Sequence, residues 1–216
     1  FGSPWVGVQW FKDFFSSPFF FRTLRNTVLI SVLKLVFSFP VPLLFAILLN
    51  EISGKWFKKT VQTISYMPHF ISTVIVVGIM KTMLSPDGGV VNEVLITLGI
   101  TKESISFFNE PGWFRTLYVG SEIWQNFGWD SIIYLACTTS IDMQLYEAAQ
   151  LDGAGRWKQT MHITLPGLKN ITITMLILSF GSMMNVGFEK ILLMYNPAVY
   201  ETSDVISTYI YRVALV

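Results

Sequence analysis

The sequence predicts an all-α membrane protein, built as a bundle of several membrane-spanning helices. Of its 216 residues, 52% are hydrophobic and only 13% are charged, and the mean hydropathy is +0.51. A soluble globular domain is usually about a quarter charged, so this composition favours a chain that lies in lipid. Four apolar runs reach about 20 residues each, which is the helix length that crosses the hydrocarbon core. A large soluble helical domain would not usually hold four such runs.

The first part of the chain, residues 1–26, is predicted to lie at the membrane interface. It is rich in aromatic side chains, as in "PWVGVQWFKDFFSSPFFF". Trp and Phe favour the boundary between headgroups and acyl chains. We therefore expect an interfacial segment before the transmembrane domain, which takes up residues 27–216.

The transmembrane domain is predicted to contain four complete spans and one incomplete span. Pro40 and Pro42 should kink the first span, which membrane helices tolerate because neighbouring groups satisfy the freed carbonyls. The chain starts at Phe1 and stops at Val216 inside an apolar run, so we expect N- and C-terminal spans to be missing from it. The predicted spans are Thr27–Leu49, Ser65–Leu84, Phe114–Cys137 and Ile171–Tyr195, with a fifth that begins near Val205.

Positive charges between the spans predict which ends face the cytoplasm. Residues 50–60 and 139–170 hold six Lys or Arg side chains, against three in the alternate loops. Because cytoplasmic loops are enriched in Lys and Arg, both regions are predicted to be cytoplasmic. Arg22 and Arg25, at the start of the first span, oppose this orientation.

A polar segment after the third span, "EAAQLDGAGRWKQTMHITLPGL" from residue 147 to residue 168, predicts two short helices that meet at an angle. Asp142 is a favourable cap for the first helix. Leu145, Ala148 and Ala149 stand at i, i+3 and i+4, so they form one shallow apolar stripe.

Two glycines and a proline shape the rest of this segment. Gly153 and Gly155 allow backbone angles that other residues resist, and a second helix is expected from Arg156. Pro166 is expected to end that helix. The residues alone leave two interpretations open: an amphipathic elbow on lipid headgroups, or a docking element, since alanines suit a protein cleft better than lipid.

The same segment resembles the EAA loop of the permease subunits of binding-protein-dependent ABC importers. That loop has Glu-Ala-Ala, then a glycine, then Ile-x-Leu-Pro. One position departs from the pattern, because Thr160 stands where the family often has an aromatic residue. The matching residues here are Glu147-Ala148-Ala149, Gly153 and Ile163-Thr164-Leu165-Pro166.

The resemblance extends over nearly the whole chain, including "LRNTVLISVLKLVFSFPVPLLFAILLNEI" and "GFEKILLMYNPAVYETSDVISTYIYRVAL". These stretches are similar to polysaccharide and oligosaccharide importer permeases of the LplB type. The resemblance implies a six-span permease with the type I ABC importer fold in the bacterial cytoplasmic (inner) membrane. The implied partners are a second homologous permease, two ATP-binding cassette subunits and an extracytoplasmic sugar-binding protein.

In that family the segment at residues 141–168 couples the permease to its ATPase. The coupling residues that the resemblance implies here are Glu147, Ala148, Ala149, Asp152, Gly153, Ala154, Ile163, Leu165 and Pro166. This chain has no G-x-x-x-x-G-K-[ST] phosphate cradle, so ATP and Mg²⁺ are expected on the partner ATPase. We expect no cofactor, metal site or catalytic residue in the chain itself.

Polar residues inside the predicted spans are candidates for a substrate pathway, because buried polar groups in membranes usually face a cavity or another helix. Two polar lines on the third and fourth spans could bind sugar hydroxyls, with Trp stacking on the sugar ring. They could equally hold helices or the partner permease together, and Glu122 could pair with Arg115 or Lys81. The candidate pathway residues are Glu122, Asn126, Trp129, Asp130, Ser182, Asn185 and Glu189.

Three other functions remain open from the sequence. The cargo could be amino acids or peptides instead of saccharides, the chain could be a secondary transporter driven by an ion gradient, or it could be a membrane scaffold. The net charge of +1 gives no basic face, so no nucleic-acid partner is expected.

Overall fold

A computed structural model describes residues 5–215, and every regular element in that range is helical. Short 3₁₀ turns at Met67–Phe70 and Pro197–Val199, and a π-helical turn at Thr160–Thr164, lie between the α-helices. The α-helices are α1 (Gln9–Ser16), α2 (Phe20–Ser38), α3 (Pro40–Asn50), α4 (Lys55–Tyr66), α5 (Thr73–Met83), α6 (Val90–Thr97), α7 (Pro111–Thr138), α8 (Met143–Leu151), α9 (Arg156–Gln159), α10 (Leu165–Gly167), α11 (Lys169–Gly181), α12 (Phe188–Met194), α13 (Tyr200–Ser203) and α14 (Ile206–Leu215).

The first predicted span is a single helix interrupted only locally. Phe39 joins α2 to α3 with helical angles (φ −63°, ψ −42°), and Pro40 begins α3, where a missing N–H costs least. Together they form a 31-residue helix, Phe20–Asn50, that is long and apolar enough to cross a membrane. The helix starts at Phe20, seven residues before the predicted beginning of the span.

The second predicted span, Ser65–Leu84, is wrong as a single straight helix. The axes of α4 and α5 differ by 99°. Pro68 lies in the 3₁₀ turn between them, and Ile71 is extended. Ser72 then caps α5, because its side chain accepts the Ile75 N–H over 3.4 Å. The chain therefore turns sharply within the apolar stretch instead of passing straight through it.

The fourth predicted span, Ile171–Tyr195, is also broken. Helix α11 stops at Gly181, and α12 starts at Phe188. The sequence between them, "SMMNVG", combines small and polar residues that favour leaving the helix. At the other end, α11 is bent by 56° from the helical segment that precedes it. If each bent pair is one span, up to three helical segments in residues 5–215 could cross a membrane by length and composition.

The third predicted span is confirmed as a helix, and it is the central one. Helix α7 is 28 residues long and packs against α2, α3 and α4. It is not among the segments apolar enough to span by composition, because polar side chains recur along it. The backbone of Gly128, on α7, lies directly against Ser65 of α4.

The close approach of α7 to α4 gives the first prediction. A Cβ atom at Gly128 would overlap with the Ser65 carbonyl oxygen, which is backbone and cannot rotate away. Gly128→Ala should destabilise the protein by about 1–3 kcal/mol, or roughly 2–10 °C in the apparent Tm of the purified protein. Gly120→Ala on the same helix is the matched control, since its Cβ would meet no atom within 4 Å. Equal melting temperatures for the two variants would contradict the close packing.

A charged cluster holds the start of α2 against the segment that leads into α14. Asp204 is fully buried and pairs with Arg22 over 2.9 Å and with Arg212 over 2.8 Å. Asn26, also fully buried, donates to the backbone carbonyls of Glu201 and Asp204 over 2.9 and 3.0 Å. The start of α2 is therefore fixed against the start of α14.

Candidate functional site

A cavity of about 420 Å³ lies between α2, α7, α11 and the turn that follows α11. A second cavity of about 190 Å³ adjoins it beside α7 and shares part of its lining. The larger cavity is lined partly by hydroxyl groups, from Ser31, Ser38, Ser179 and Ser182. The hydroxyls of Ser179 and Ser182 donate to backbone carbonyls three or four residues earlier in the chain, so each still has a lone pair to accept a hydrogen bond from a ligand.

Two lysines neutralise one glutamate at the edge of these cavities. Glu122 Oε1 pairs with Lys190 Nζ over 2.7 Å, and Glu122 Oε2 pairs with Lys34 Nζ over 3.2 Å. The Lys190 side chain is 4% exposed, whereas the Lys34 side chain is 41% exposed and lines both cavities. Lys190 is thus an internal partner of Glu122, and Lys34 is the partner that a ligand can reach.

A chain of hydrogen bonds continues from this ion pair to a helix break. Lys190 Nζ also donates to Gln125 Oε1 over 2.9 Å, and Gln125 Nε2 donates to the Ile71 carbonyl over 2.9 Å. Ile71 lies at the sharp bend between α4 and α5, where the carbonyl has left the helical ladder. At the other break, Ser31 Oγ donates to the Met183 carbonyl over 2.5 Å. Side chains of α2 and α7 therefore satisfy backbone groups that both breaks expose.

The charges of the site balance. An isolated lysine in a low-dielectric interior costs several kcal/mol, and Glu122 offsets that cost for Lys190. Lys34 adds a second positive charge, and Asp130 adds a second negative charge that lines both cavities. The cavities thus combine near-neutral net charge with separated donors and acceptors, an arrangement suited to a ligand rich in hydroxyl groups.

The structure brings five of the seven candidate pathway residues to these cavities. Glu122 and Asn126 line the smaller cavity, Ser182 and Asn185 line the larger one, and Asp130 lines both.

The other two candidates lie elsewhere. Trp129 stacks on His69, with ring centroids 4.5 Å apart and planes 2° from parallel. His69 in turn contacts Asn126 Oδ1 over 3.0 Å through Nδ1. Glu189 is exposed and lines neither cavity. The sequence predicts that it shares one helix face with Ser182 and Asn185, but the helix is interrupted at residues 182–187, so this shared face does not form.

The suggested pairing of Glu122 with Arg115 or Lys81 is wrong. Arg115 Nη2 donates instead to Asn26 Oδ1 over 3.0 Å, and the Lys81 ammonium lies 5.9 Å from the ring centroid of Phe108. Lys190 and Gln125 belong to the site, although neither is among the candidate pathway residues that the sequence predicts. Their only signal is an intramembrane glutamate that requires a positive partner, and that signal does not say which lysine supplies it.

The segment at residues 141–168 forms two helical arms, which we call the elbow. Asp142 caps α8 as predicted, with its Oδ1 accepting the Gln144 N–H over 2.9 Å. Gly153 makes the turn between the arms and has φ +74°, in the left-handed region that favours glycine. The Ala154 N–H closes the first arm on the Ala149 carbonyl over 2.8 Å.

The second arm is not a regular α-helix. It begins as α9 and passes through the π-helical turn, in which the Leu165 N–H bonds to the Thr160 carbonyl five residues back. Pro166 does not end the arm as expected; it sits inside α10, and the helix axis changes only at Leu168. The π turn accommodates this proline, because its change of register falls directly before the residue that lacks an N–H.

The two arms are joined by a side-chain bond and present an open outer surface. Tyr146 Oη and Thr164 Oγ1 are 2.9 Å apart, and Gly167 packs so closely on Ile141 that a Cβ there would lie 2.8 Å from Ile141 Cδ1. The Leu151 side chain is 90% exposed and the Trp157 side chain 75%. A rigid element with exposed apolar groups is typical of a protein docking surface.

The candidate coupling residues are distributed over this elbow. Most of them face outward: Glu147, Ala148, Asp152, Gly153, Leu165 and Pro166 are exposed, whereas Ala149, Ala154 and Ile163 are half-buried. Within residues 5–215 there is no group of three His, Cys, Asp or Glu side chains that could hold a metal ion.

The chain matches a known protein family over most of its length. Residues 38–213 match the family described as "Binding-protein-dependent transport system inner membrane component". The matched range includes the whole elbow and all residues that line the two cavities except Ser31, Lys34 and Leu35.

Two curated relatives from Bacillus subtilis (strain 168) are similar over almost the whole chain. One is the polygalacturonan/rhamnogalacturonan transport system permease protein YteP, 46% identical over 214 residues, or 99% of this chain. The other is protein LplB, 44% identical over 213 residues, also 99% of this chain. The chain spans 66% of the length of each of these relatives.

A solved structure is also similar. It is the crystal structure of a bacterial alginate ABC transporter in complex with alginate pentasaccharide-bound periplasmic protein. The chain matches it with a TM-score of 0.93 and 48% sequence identity, over 97% of this chain and 72% of that one.

Proposed function

The chain belongs to the family of binding-protein-dependent transport system inner membrane components, and from this premise we propose that it is the membrane-spanning permease of an ATP-driven importer for oligo- or polysaccharides. The predicted resemblance to importer permeases of the LplB type is confirmed by the 44% identity with LplB. The all-helical permease fold is confirmed by the match to the alginate transporter. The observation that supports a saccharide cargo best is this similarity to two saccharide transport systems.

The proposal includes a set of partners. A second homologous permease would complete the transmembrane unit, and two ATP-binding cassette subunits would bind ATP and Mg²⁺ and hydrolyse the nucleotide. An extracytoplasmic sugar-binding protein would deliver the saccharide, as the periplasmic protein in the alginate complex suggests. The chain would lie in the bacterial cytoplasmic (inner) membrane as a multi-pass protein.

The proposed orientation places the elbow in the cytoplasm. A hydrogen bond of 3.0 Å between Thr160 and Glu51 supports it, because residues 50–60 and 139–170, the two regions richest in Lys and Arg, then lie at the same end. The position of Arg22 opposes this orientation by the charge rule. However, Arg22 pairs with the buried Asp204, which lies two residues before α14. Because Asp204 neutralises the charge of Arg22, Arg22 is weaker evidence on orientation than an unpaired Lys or Arg in a loop.

The proposed mechanism is mechanical. The elbow would seat in a cleft of the ATPase, with Glu147 at the contact and Ala148 and Ala149 allowing close approach. Helix α7 enters the elbow and α11 leaves it, and both helices line the larger cavity. Closure of the ATPases would then shift these helices and switch the access of the cavity from one side of the membrane to the other. The elbow transmits motion, and the catalysis belongs to the ATPase.

The two cavities would form part of the saccharide pathway. Serine hydroxyls and the amides of Asn126 and Asn185 can donate and accept hydrogen bonds from sugar hydroxyls, while Asp130 accepts them. Glu122 has both carboxylate oxygens engaged by lysines, so its part would be to hold Lys34 and Lys190 in position.

The proposal is tested by reconstituting the full-length permease with its partner permease, ATPases and binding protein in lipid vesicles. Labelled alginate pentasaccharide and oligogalacturonides are the probes, with labelled dipeptides as the comparison. We expect uptake of a saccharide that requires both ATP and the binding protein. Uptake driven by an ion gradient without ATP would establish a secondary transporter, uptake of peptides alone would establish a peptide permease, and absence of any uptake would leave a scaffold.

The elbow gives a prediction for the same assay. Gly153 has a positive φ and open space around its Cβ position, so a larger residue is disfavoured by the backbone and not by a clash. Gly153→Val should cost about 1–3 kcal/mol in the native turn and lower uptake about tenfold. Gly153→Asn adds bulk but tolerates left-handed angles, so it should keep at least roughly half of the uptake. Equal uptake by the two variants would show that the turn is unimportant.

A further inference from the structure

The elbow is covalently continuous with α7 and α11. A hydrogen bond also connects it to the end of the α2–α3 helix. Thr160 Oγ1, on the second arm, donates to Glu51 Oε1 over 3.0 Å. Glu51 directly follows the last residue of α3. This bond links residues that are 109 positions apart and that belong to different helical elements.

Both residues of this hydrogen bond, Thr160 and Glu51, are fixed by backbone hydrogen bonds and by packing around them. Thr160 is 5% exposed and begins the π-helical turn, where its carbonyl accepts the Leu165 N–H. The Glu51 N–H bonds to the Ile47 carbonyl over 3.3 Å, which keeps Glu51 on the end of α3. Leu49, two residues earlier, is 1% exposed in a core cluster with Tyr134 and Leu135 of α7. A displacement of one side of the bond therefore acts on a packed element on the other side.

The α2–α3 helix leads from this bond to the ion pair beside the cavities. Lys34 lies 17 residues before Glu51 on the same continuous helix, a distance of about 25 Å along the axis. Lys34 lines both cavities and pairs with Glu122. A shift of α3 would thus change the position of a charged group on the proposed pathway.

We propose that the Glu51–Thr160 hydrogen bond is a joint through which the elbow moves the α2–α3 helix during transport. Glu51 and Thr160 are then positioning residues, and the acceptor oxygen of Glu51 matters more than its charge. This inference rests on the proposed function of the chain as an importer permease. It adds a third route for motion, beside the covalent routes through α7 and α11.

The test uses the complete reconstituted importer and the saccharide probe that the wild type takes up. The quantity measured is the number of saccharide molecules imported per ATP hydrolysed. Thr160→Val and Glu51→Ala each remove the bond, and each should lower this ratio about fivefold while ATP hydrolysis continues. Thr160→Ser keeps the donor and Glu51→Gln keeps the acceptor, so both should stay within roughly twofold of the wild type.

Two controls separate the joint from a general effect on stability. Thr97→Val removes the hydroxyl of another helical threonine, which donates to the carbonyl four residues back, but Thr97 is exposed on α6 and far in sequence from the elbow. It should leave the ratio unchanged. The double variant Glu51→Ala/Thr160→Val should be no worse than either single variant, because the two residues act through one bond.

Several results would overturn the inference. An unchanged ratio in Thr160→Val would exclude the joint, and a Glu51→Gln variant as impaired as Glu51→Ala would assign the effect to charge. Loss of co-purifying ATPase in the variants would assign the bond to assembly. A wild-type complex without ATP-dependent saccharide uptake would instead refute the proposed function, and that result is read before any variant is compared.

Discussion

Glu122→Gln should abolish most transport and destabilise the protein. Lys190 is 4% exposed and has Glu122 as its ion-pair partner, so the substitution leaves a positive charge in the interior facing only amide oxygens. Removing one partner of a buried pair costs about 3–5 kcal/mol. We expect uptake to fall by at least about tenfold and the apparent Tm of the purified complex to fall by roughly 10 °C.

A double variant separates the two effects of Glu122. Glu122→Gln/Lys190→Met buries no unpaired charge at this point, so it should recover most of the melting temperature. Glu189→Gln is the matched control, because Glu189 is exposed and adjacent to Lys190 in the chain. A Glu122→Gln variant that melts like the wild type would show that Lys190 is not buried with this partner in the assembled importer.

Asp204→Asn should be the second strongly destabilising change. Asp204 is fully buried and pairs with two arginines, which tie the start of α2 to α14. An amide keeps hydrogen bonds but not the charge, which leaves two partly exposed guanidinium groups side by side. We expect a loss of about 3 kcal/mol, measured as a lower midpoint of thermal or denaturant unfolding of the purified complex.

Neighbouring substitutions test whether the charge or the packing of Asp204 is responsible. Glu201→Gln, at an exposed position three residues earlier, should leave the midpoint unchanged. Arg212→Met should cost less than Asp204→Asn, because Arg22 still neutralises the carboxylate. If Glu201→Gln and Asp204→Asn behaved alike, the buried ion pairs would not be contributing to stability.

The first arm of the elbow and the turn after it could be predicted because their determinants are local. The cap at Asp142 and the turn at Gly153 each follow from one residue type at one position. The π-helical turn could not be predicted, because it depends on a shift of hydrogen bonds and not on a residue pattern. It also explains why Pro166 remains within a helix.

The helix breaks and the charged site could be predicted only in part. Pro68 and the "SMMNVG" stretch are signals for the breaks, but proline and small residues also occur inside unbroken membrane helices. The breaks are stabilised by distant side chains, Gln125 at Ile71 and Ser31 at Met183. The pairing of Glu122 with Lys190 likewise joins positions 68 residues apart, which a single sequence does not reveal.

The π-helical turn has a consequence for insertions and deletions. It holds one residue more than an α-helical turn of the same height, and each residue of an α-helix rotates the chain by about 100°. Removing a single residue from Thr160–Thr164 would restore an ordinary α-helical spiral and leave the helix beyond it in nearly its present rotation. Ser179 would still face the cavity that it lines, whereas the same deletion at the start of α11 would turn Ser179 away by about 100°.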